Sequence, residues 1–138
     1  MGRILAIDYG LKRTGIAVTD PLQIIATPLE TVATSDLIDW LKSYLTKETV
    51  ERIVLGMPTK PDLSDTHTTQ PVKRLYETLK LQFPQIPVSL EDERFTSVMA
   101  QKSMLAGGMK KKNRRDKTNV DKISASIILQ SYMARQLK

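Results

Sequence analysis

Asp8-Tyr9-Gly10-Leu11-Lys12-Arg13-Thr14-Gly15 stands between two apolar runs, Ile4-Leu5-Ala6-Ile7 before it and Ile16-Ala17-Val18-Thr19 after it, the second closed by Asp20-Pro21. Two runs of strand length around a short glycine-bounded segment read as a β-hairpin. Asp is a poor strand residue, yet Asp8 abuts a run that must be buried on at least one face. Gly10 and Gly15 let the backbone turn and come close to a neighbour. An acid at the lip of a buried strand, beside Lys12 and Arg13, points to a metal-dependent phosphate site. The plainer alternatives are an Asp that opens a turn by bonding its own backbone, and ordinary hairpin-tip charge for Lys12 and Arg13.

Outward from the hairpin, Gln23 to Val32 predicts a third strand, interrupted or bulged near Pro28. Ser35-Asp36 offers an N-cap for a helix to about Glu48, with Leu37, Leu41, Tyr44 and Leu45 on its apolar side. Arg52 to Gly56 is a short apolar run typical of a strand covered on both faces. A loop from Met57 to Asp65 leads to a helix from about His67 to Phe83, stopped by Pro84. Pro87 to Glu91 predicts the last strand, which runs into Asp92-Glu93-Arg94. Thr96 to Leu105 has helical spacing and ends at Gly107-Gly108. A final helix begins at about Asn119 and runs to the C-terminus. No repeat, low-complexity tract or linker interrupts the chain, so residues 1–138 are expected to form one domain. The order β-β-β-α-β-α-β-α-α predicts an α/β fold with a mixed five-stranded sheet. Its first three strands form an antiparallel meander, the fourth and fifth run parallel, and helices cover the faces. Ligands of such sheets gather at the carboxyl ends of the parallel strands.

The composition excludes several classes. With 41% hydrophobic and 26% charged residues, the 138-residue chain suits a soluble domain with a real core. It holds no apolar run of transmembrane length and opens without a charged-then-apolar leader, so neither membrane span nor signal peptide is expected. The absence of cysteine excludes disulfides and thiol chemistry and fits a cytoplasmic location. A single histidine excludes multi-histidine zinc centres, so any metal would be oxygen-ligated, Mg²⁺ or Mn²⁺. The net charge of +6 is concentrated in residues 110–117, where Lys110, Lys111, Lys112, Arg114, Arg115 and Lys117 face one acid, Asp116. A near-neutral body with one basic segment suggests an anionic polymer as partner, the alternative being a solvated loop that aids solubility.

Three carboxylate positions carry the chemistry. Asp8 ends the first strand and Asp92-Glu93 the last. Asp121, at 100° per residue, shares one side of the terminal helix with Ala125, Ile128 and Tyr132. An acid on the core-facing arc differs from a surface charge; complementing the helix N-terminus accounts for its position along the helix but not for its face. Carboxylates gathered without a cation repel, whereas divalent ions would let them hold a phosphodiester, activate water and steady the leaving oxygen. Strand alternation does not choose between Asp92 and Glu93 in a sheet covered on both faces. Arg94 clamps phosphate or pairs with a neighbouring acid.

Ile7 to Asp20 resembles the opening motif of the YqgF family of RNase H-like nucleases, relatives of the RuvC Holliday-junction resolvases. Val54-Leu55-Gly56-Met57-Pro58, Asp92-Glu93-Arg94-Phe95-Thr96-Ser97 and the Asp121 helix with Ser124-Ala125 resemble its further motifs in the same order. The resemblance implies an RNase H-like fold and a nuclease that matures the 5′ end of pre-16S ribosomal RNA, earlier proposed as a junction resolvase. It places the family's acids on Asp8, on Glu93 (or Asp92) and on Asp121. The chain departs from the family in residues 59–67, where a glycine-containing turn is usual and Thr59-Lys60-Pro61-Asp62-Leu63-Ser64-Asp65-Thr66-His67 has none.

These observations predict a metal-dependent endonuclease acting on structured RNA, with Asp8, Glu93 and Asp121 as catalytic metal ligands. Lys12, Arg13, Arg94, Lys110, Lys111, Lys112, Arg114 and Arg115 are the expected substrate contacts. Branched DNA is the alternative substrate, and a non-catalytic RNA-binding protein the alternative class. A sugar-kinase or actin-like nucleotide site would need two such domains. Monomer and homodimer are both compatible with the sequence.

Overall fold

The computed structural model describes residues 2–57, 69–92 and 117–136. Its strands are β1 (Arg3–Tyr9), β2 (Arg13–Thr19), β3 (Ala26–Ala33), β4 (Val50–Met57) and β5 (Val88–Asp92). Its helices are α1 (Leu37–Lys47), α2 (Thr69–Gln82) and α3 (Lys117–Gln136). The sheet order is β3-β2-β1-β4-β5. β2 pairs antiparallel with both β1 and β3, while β4 runs parallel to β1 and to β5. This is the mixed sheet that the order of elements predicts. The helix expected over residues 96–105 and the basic segment 110–116 lie outside the described residues.

Alternation along the strands sorts the core into two layers. Leu5 and Ile7 of β1, Ile16 and Val18 of β2, and Ile53 and Leu55 of β4 pack beneath α1 and α2, with Leu37, Leu41, Val72, Leu75 and Leu79. Ile4 and Ala6 of β1, Ala17 of β2 and Val54 of β4 face the other way and pack on Ala125, Ile128, Leu129 and Tyr132 of α3. The α3 layer is built largely from small side chains on the strands, so the helix lies close to the sheet. Asp8 has the parity of Ile4 and Ala6 and therefore belongs to the α3 face.

Three local expectations need correction. The hairpin strands extend beyond their apolar runs: Asp8 pairs with Gly15 and Tyr9 with Thr14, leaving only residues 10–12 as the loop. The third strand begins at Ala26, not Gln23, because Asp20 captures the segment before it. One carboxylate oxygen of Asp20 accepts hydrogen bonds from the amides of Ile24 and Ile25, both at 2.8 Å, and Gln23 takes a positive φ of 60°. The irregularity expected near Pro28 is borne out as a bulge: Ile16 opposes Glu30 and Ala17 opposes Pro28, so Leu29 is the extra residue. The helical N-cap is also altered. Thr34–Asp36 form a 3₁₀ turn, and Asp36 precedes α1 without a side-chain capping bond, since its backbone is already helical.

Candidate active-site face

Gly15 brings the first and last parts of the chain together. A Cβ at this position would lie 2.0 Å from the carbonyl oxygen of Asp121 and 2.3 Å from its carbonyl carbon, so only glycine permits the contact. Gly15 is also the cross-strand partner of Asp8. Asp8 on β1 and Asp121 on α3, 113 positions apart in the chain, thus flank one glycine on one face of the sheet. Asp8 is half-buried, as is Asp121.

Arg13 shares this face, two residues before Gly15. Its Nε donates to Asp121 Oδ2 at 2.6 Å, in an ion pair whose side chains are 38% and 21% exposed. The sequence marks Arg13 as a phosphate contact, and nothing in it shows that the residue also holds a carboxylate. Lys12 is exposed in the hairpin loop. Thr34 braces that loop: its hydroxyl donates to Gly10 O at 2.6 Å and bonds Thr14 Oγ1 at 2.9 Å, and its amide donates to Lys12 O at 3.0 Å. Gly10 is required here as well, because a Cβ would meet Arg13 O at 2.3 Å.

β5 contributes through its last residues. Leu55 and Leu90 are partners, as are Gly56 and Glu91, and Met57 and Asp92. Met57 and Val88 pack on the α1–α2 core, so Asp92 belongs to that side, and it is exposed. Glu91 faces α3. It is only 5% exposed, accepts a hydrogen bond from Ser131 Oγ at 2.7 Å and forms an ion pair with Arg135. This clamp ties the carboxyl end of β5 to α3 and was not anticipated from sequence. The spacing of Ser131 and Arg135, one helical turn apart, is its only signal. Gly56 lies between β1 and Glu91 and puts no side chain into the space. Glu93, Arg94, Lys110, Lys111, Lys112, Arg114 and Arg115 lie outside the described residues.

The donor set suits a hard cation. Asp8 and Asp121 offer carboxylate oxygens and no nitrogen or sulfur, the chemistry of Mg²⁺ and Mn²⁺ sites. Positive charge beside Asp121 already comes from Arg13. Ser124, one turn along α3 from Asp121, keeps a buried hydroxyl without a hydrogen-bond partner among the described residues. Among those residues no three acidic or histidine side chains form a complete cage. No helix among them is long and apolar enough to cross a membrane.

Comparison with known proteins agrees with this architecture. The chain is similar over 99% of its length to Thermus thermophilus RuvC, solved in complex with a Holliday junction substrate; the match covers 96% of that chain, with a TM-score of 0.59 and 16% identity. That likeness establishes the fold as RNase H-like. Relatives named as proposed pre-16S rRNA nucleases are closer in sequence. The one from Amoebophilus asiaticus is 51% identical, with 97% of this chain and 95% of the relative covered. The one from Phocaeicola vulgatus is 53% identical, with 96% of each covered. A family model described as RuvX, Holliday junction resolvase, matches residues 2–135. With nearly its whole length matched by the family model and by relatives about half identical to it, the chain belongs to the RuvX family.

Proposed function

We propose that the protein is a metal-dependent endonuclease that hydrolyses phosphodiester bonds of structured RNA, with precursor 16S rRNA cut at its 5′ side as the substrate. What supports this reading is that Gly15 is the cross-strand partner of Asp8 and also lies against the Asp121 backbone, so that both acids come from positions bordering one glycine. The names of the relatives supply the substrate class. The third acid of the proposal is Glu93. Asp92, its alternate, belongs to the face of the sheet opposite Glu91. Two strand spacings, about 10 Å, separate β1 from β5, a gap that two carboxylate side chains with an ion between them can span.

A divalent ion bound there would neutralise the scissile phosphate, activate the attacking water and stabilise the leaving oxygen. Asp8, Glu93 and Asp121 would hold it, and their mutual repulsion without it would favour binding. Lys12 and Arg13 at the hairpin lip contact the phosphates next to the cut. Arg94 and the basic residues 110–115 extend the contact along the backbone. A cytoplasmic location and a monomeric or homodimeric state belong to the same reading.

The test is cleavage of a precursor 16S rRNA fragment in Mg²⁺ or Mn²⁺. Asp8→Asn and Asp121→Asn should each lower the rate by at least about 100-fold, the scale of losing an electrostatic catalytic group. Cleavage that survives these changes, or continues in excess chelator, contradicts the mechanism. The description of the family model favours branched DNA as a second reading. A four-way DNA junction in the same assay separates the two, since a resolvase cuts the junction and spares the RNA.

A further inference from the structure

We infer that Arg13 is a bridging residue that grips Asp121 and a substrate phosphate at the same time, so that the phosphate and the carboxylate are set in position by one guanidinium. The inference deepens the nuclease reading and rests on it. Its basis is the way the ion pair is made. Arg13 binds Asp121 through Nε alone, at 2.6 Å to Oδ2. A guanidinium has five N–H donors in a fixed planar fork, and this contact uses one of them. Among the described residues the two terminal nitrogens of Arg13 make no hydrogen bond, and the side chain is 38% exposed. Four N–H donors therefore remain in the rigid plane that suits bidentate recognition of a phosphate.

The backbone fixes where that plane lies. Arg13 is the first residue of β2, so its Cα is set by the β2–β3 ladder, in which it opposes Ala33. Gly15, next on the same face, admits the Asp121 peptide. The arginine is thus anchored at its root by the sheet and at its middle by Asp121. Among the described residues only its tip remains unengaged. An arginine that merely neutralised Asp121 would be better used end-on with both carboxylate oxygens engaged. The Nε contact instead leaves Asp121 Oδ1 untouched by Arg13 and available for a cation. Carboxylates that serve metals are commonly oriented in this way by a hydrogen bond to one oxygen.

Lysine is the discriminating substitution, because its ammonium is a single point charge that keeps the attraction for phosphate but cannot serve both partners from a rigid plane. Wild type, Arg13→Lys and Arg13→Gln are compared for binding to a precursor 16S rRNA fragment in chelator across a salt series, and for cleavage in Mg²⁺. Melting curves verify that each variant is folded. In the expected result Arg13→Lys binds RNA within about twofold of wild type while kcat falls roughly tenfold or more, consistent with the loss of one positioned donor. Arg13→Gln loses kcat likewise, and the slope of log K against log salt becomes shallower by about 0.7–0.9, the increment of a single phosphate. Full kcat in Arg13→Lys overturns the bridge and leaves a plain phosphate contact. An unchanged salt slope in Arg13→Gln overturns it in favour of an internal ion pair. A third measurement needs no turnover: the Arg13 Nε–H resonance, assigned by its loss in Arg13→Lys, is followed as RNA is added in chelator. Its persistence at saturation supports simultaneous contacts, and its disappearance overturns them. A wild type that cuts neither RNA nor junction refutes the nuclease reading, and the resonance still decides the role of Arg13.

Discussion

At the scale of single residues, Gly15 connects sequence to site more directly than any acid does. Replacing it with alanine forces a methyl group to within 2.0 Å of a main-chain oxygen, and backbone cannot step aside as a flexible side chain would. We expect Gly15→Ala to lower stability by about 1–3 kcal/mol, the usual cost of overpacking, read as a shift in the urea midpoint. Asp121 moves with its helix, so cleavage should fall further than the loss of folded protein explains. This glycine was legible in the sequence as a place of close approach, but its partner was not. A chain does not announce which residue 106 positions away will fill the space. Arg13 shows the same limit. Its charge was readable, whereas its engagement with Asp121 depends on where α3 lies.

At the scale of elements, the carboxyl end of β5 depends on the clamp formed by Glu91, Ser131 and Arg135. Arg135→Ala leaves a buried carboxylate with only the Ser131 hydroxyl among the described residues. It should cost about 1–3 kcal/mol, the penalty for an under-satisfied buried polar group, measured by urea denaturation. The end of β5 should also exchange its amide hydrogens faster, which hydrogen exchange would detect. A second element-scale expectation concerns the turn between β2 and β3. The Ile25 amide, with that of Ile24 adding to it, holds the Asp20 carboxyl below its ordinary range. The folded value is therefore lower than the unfolded one. The turn's contribution is present above the ordinary Asp value near 3.8 and is lost as pH falls through the folded value. An NMR titration of the Ile24 and Ile25 amides should show both moving together on acidification, and Asp20→Asn should remove that transition. From sequence this turn reads as strand, because Ile24 and Ile25 are β-branched and follow Gln23 without a break. The deciding group, one carboxylate oxygen accepting two amides, lies outside the apolar pattern. The bulge at Leu29 was partly legible, since Pro28 cannot continue a regular ladder.

At the scale of the whole molecule, the strand order and the two-layer core follow from apolar runs and their spacing, which is why the mixed sheet could be anticipated. The sheet alone does not make a site. Its α3 layer uses Ala6, Gly15 and Ala17 to draw a helix close, and that closeness sets the Asp121 backbone against Gly15, the cross-strand partner of Asp8. The basic segment belongs to this scale too, since in the proposed function its charge would act on a polymer longer than the site. Replacing Lys110, Lys111, Lys112, Arg114 and Arg115 with glutamine should weaken RNA binding and flatten its salt dependence by about 0.7 for each phosphate no longer neutralised, with little change in melting temperature. Filter binding over a salt series would measure this. The proposed mechanism centres on the pair of acids, and a crystal soaked in Mn²⁺ and measured at the manganese absorption edge reads it out in one step. The expected result is an anomalous peak coordinated by carboxylate oxygens of both Asp8 and Asp121, at roughly 2.0–2.3 Å, and no such peak in Asp121→Asn. Manganese that binds elsewhere while leaving these two side chains untouched would contradict a metal site built on the pair.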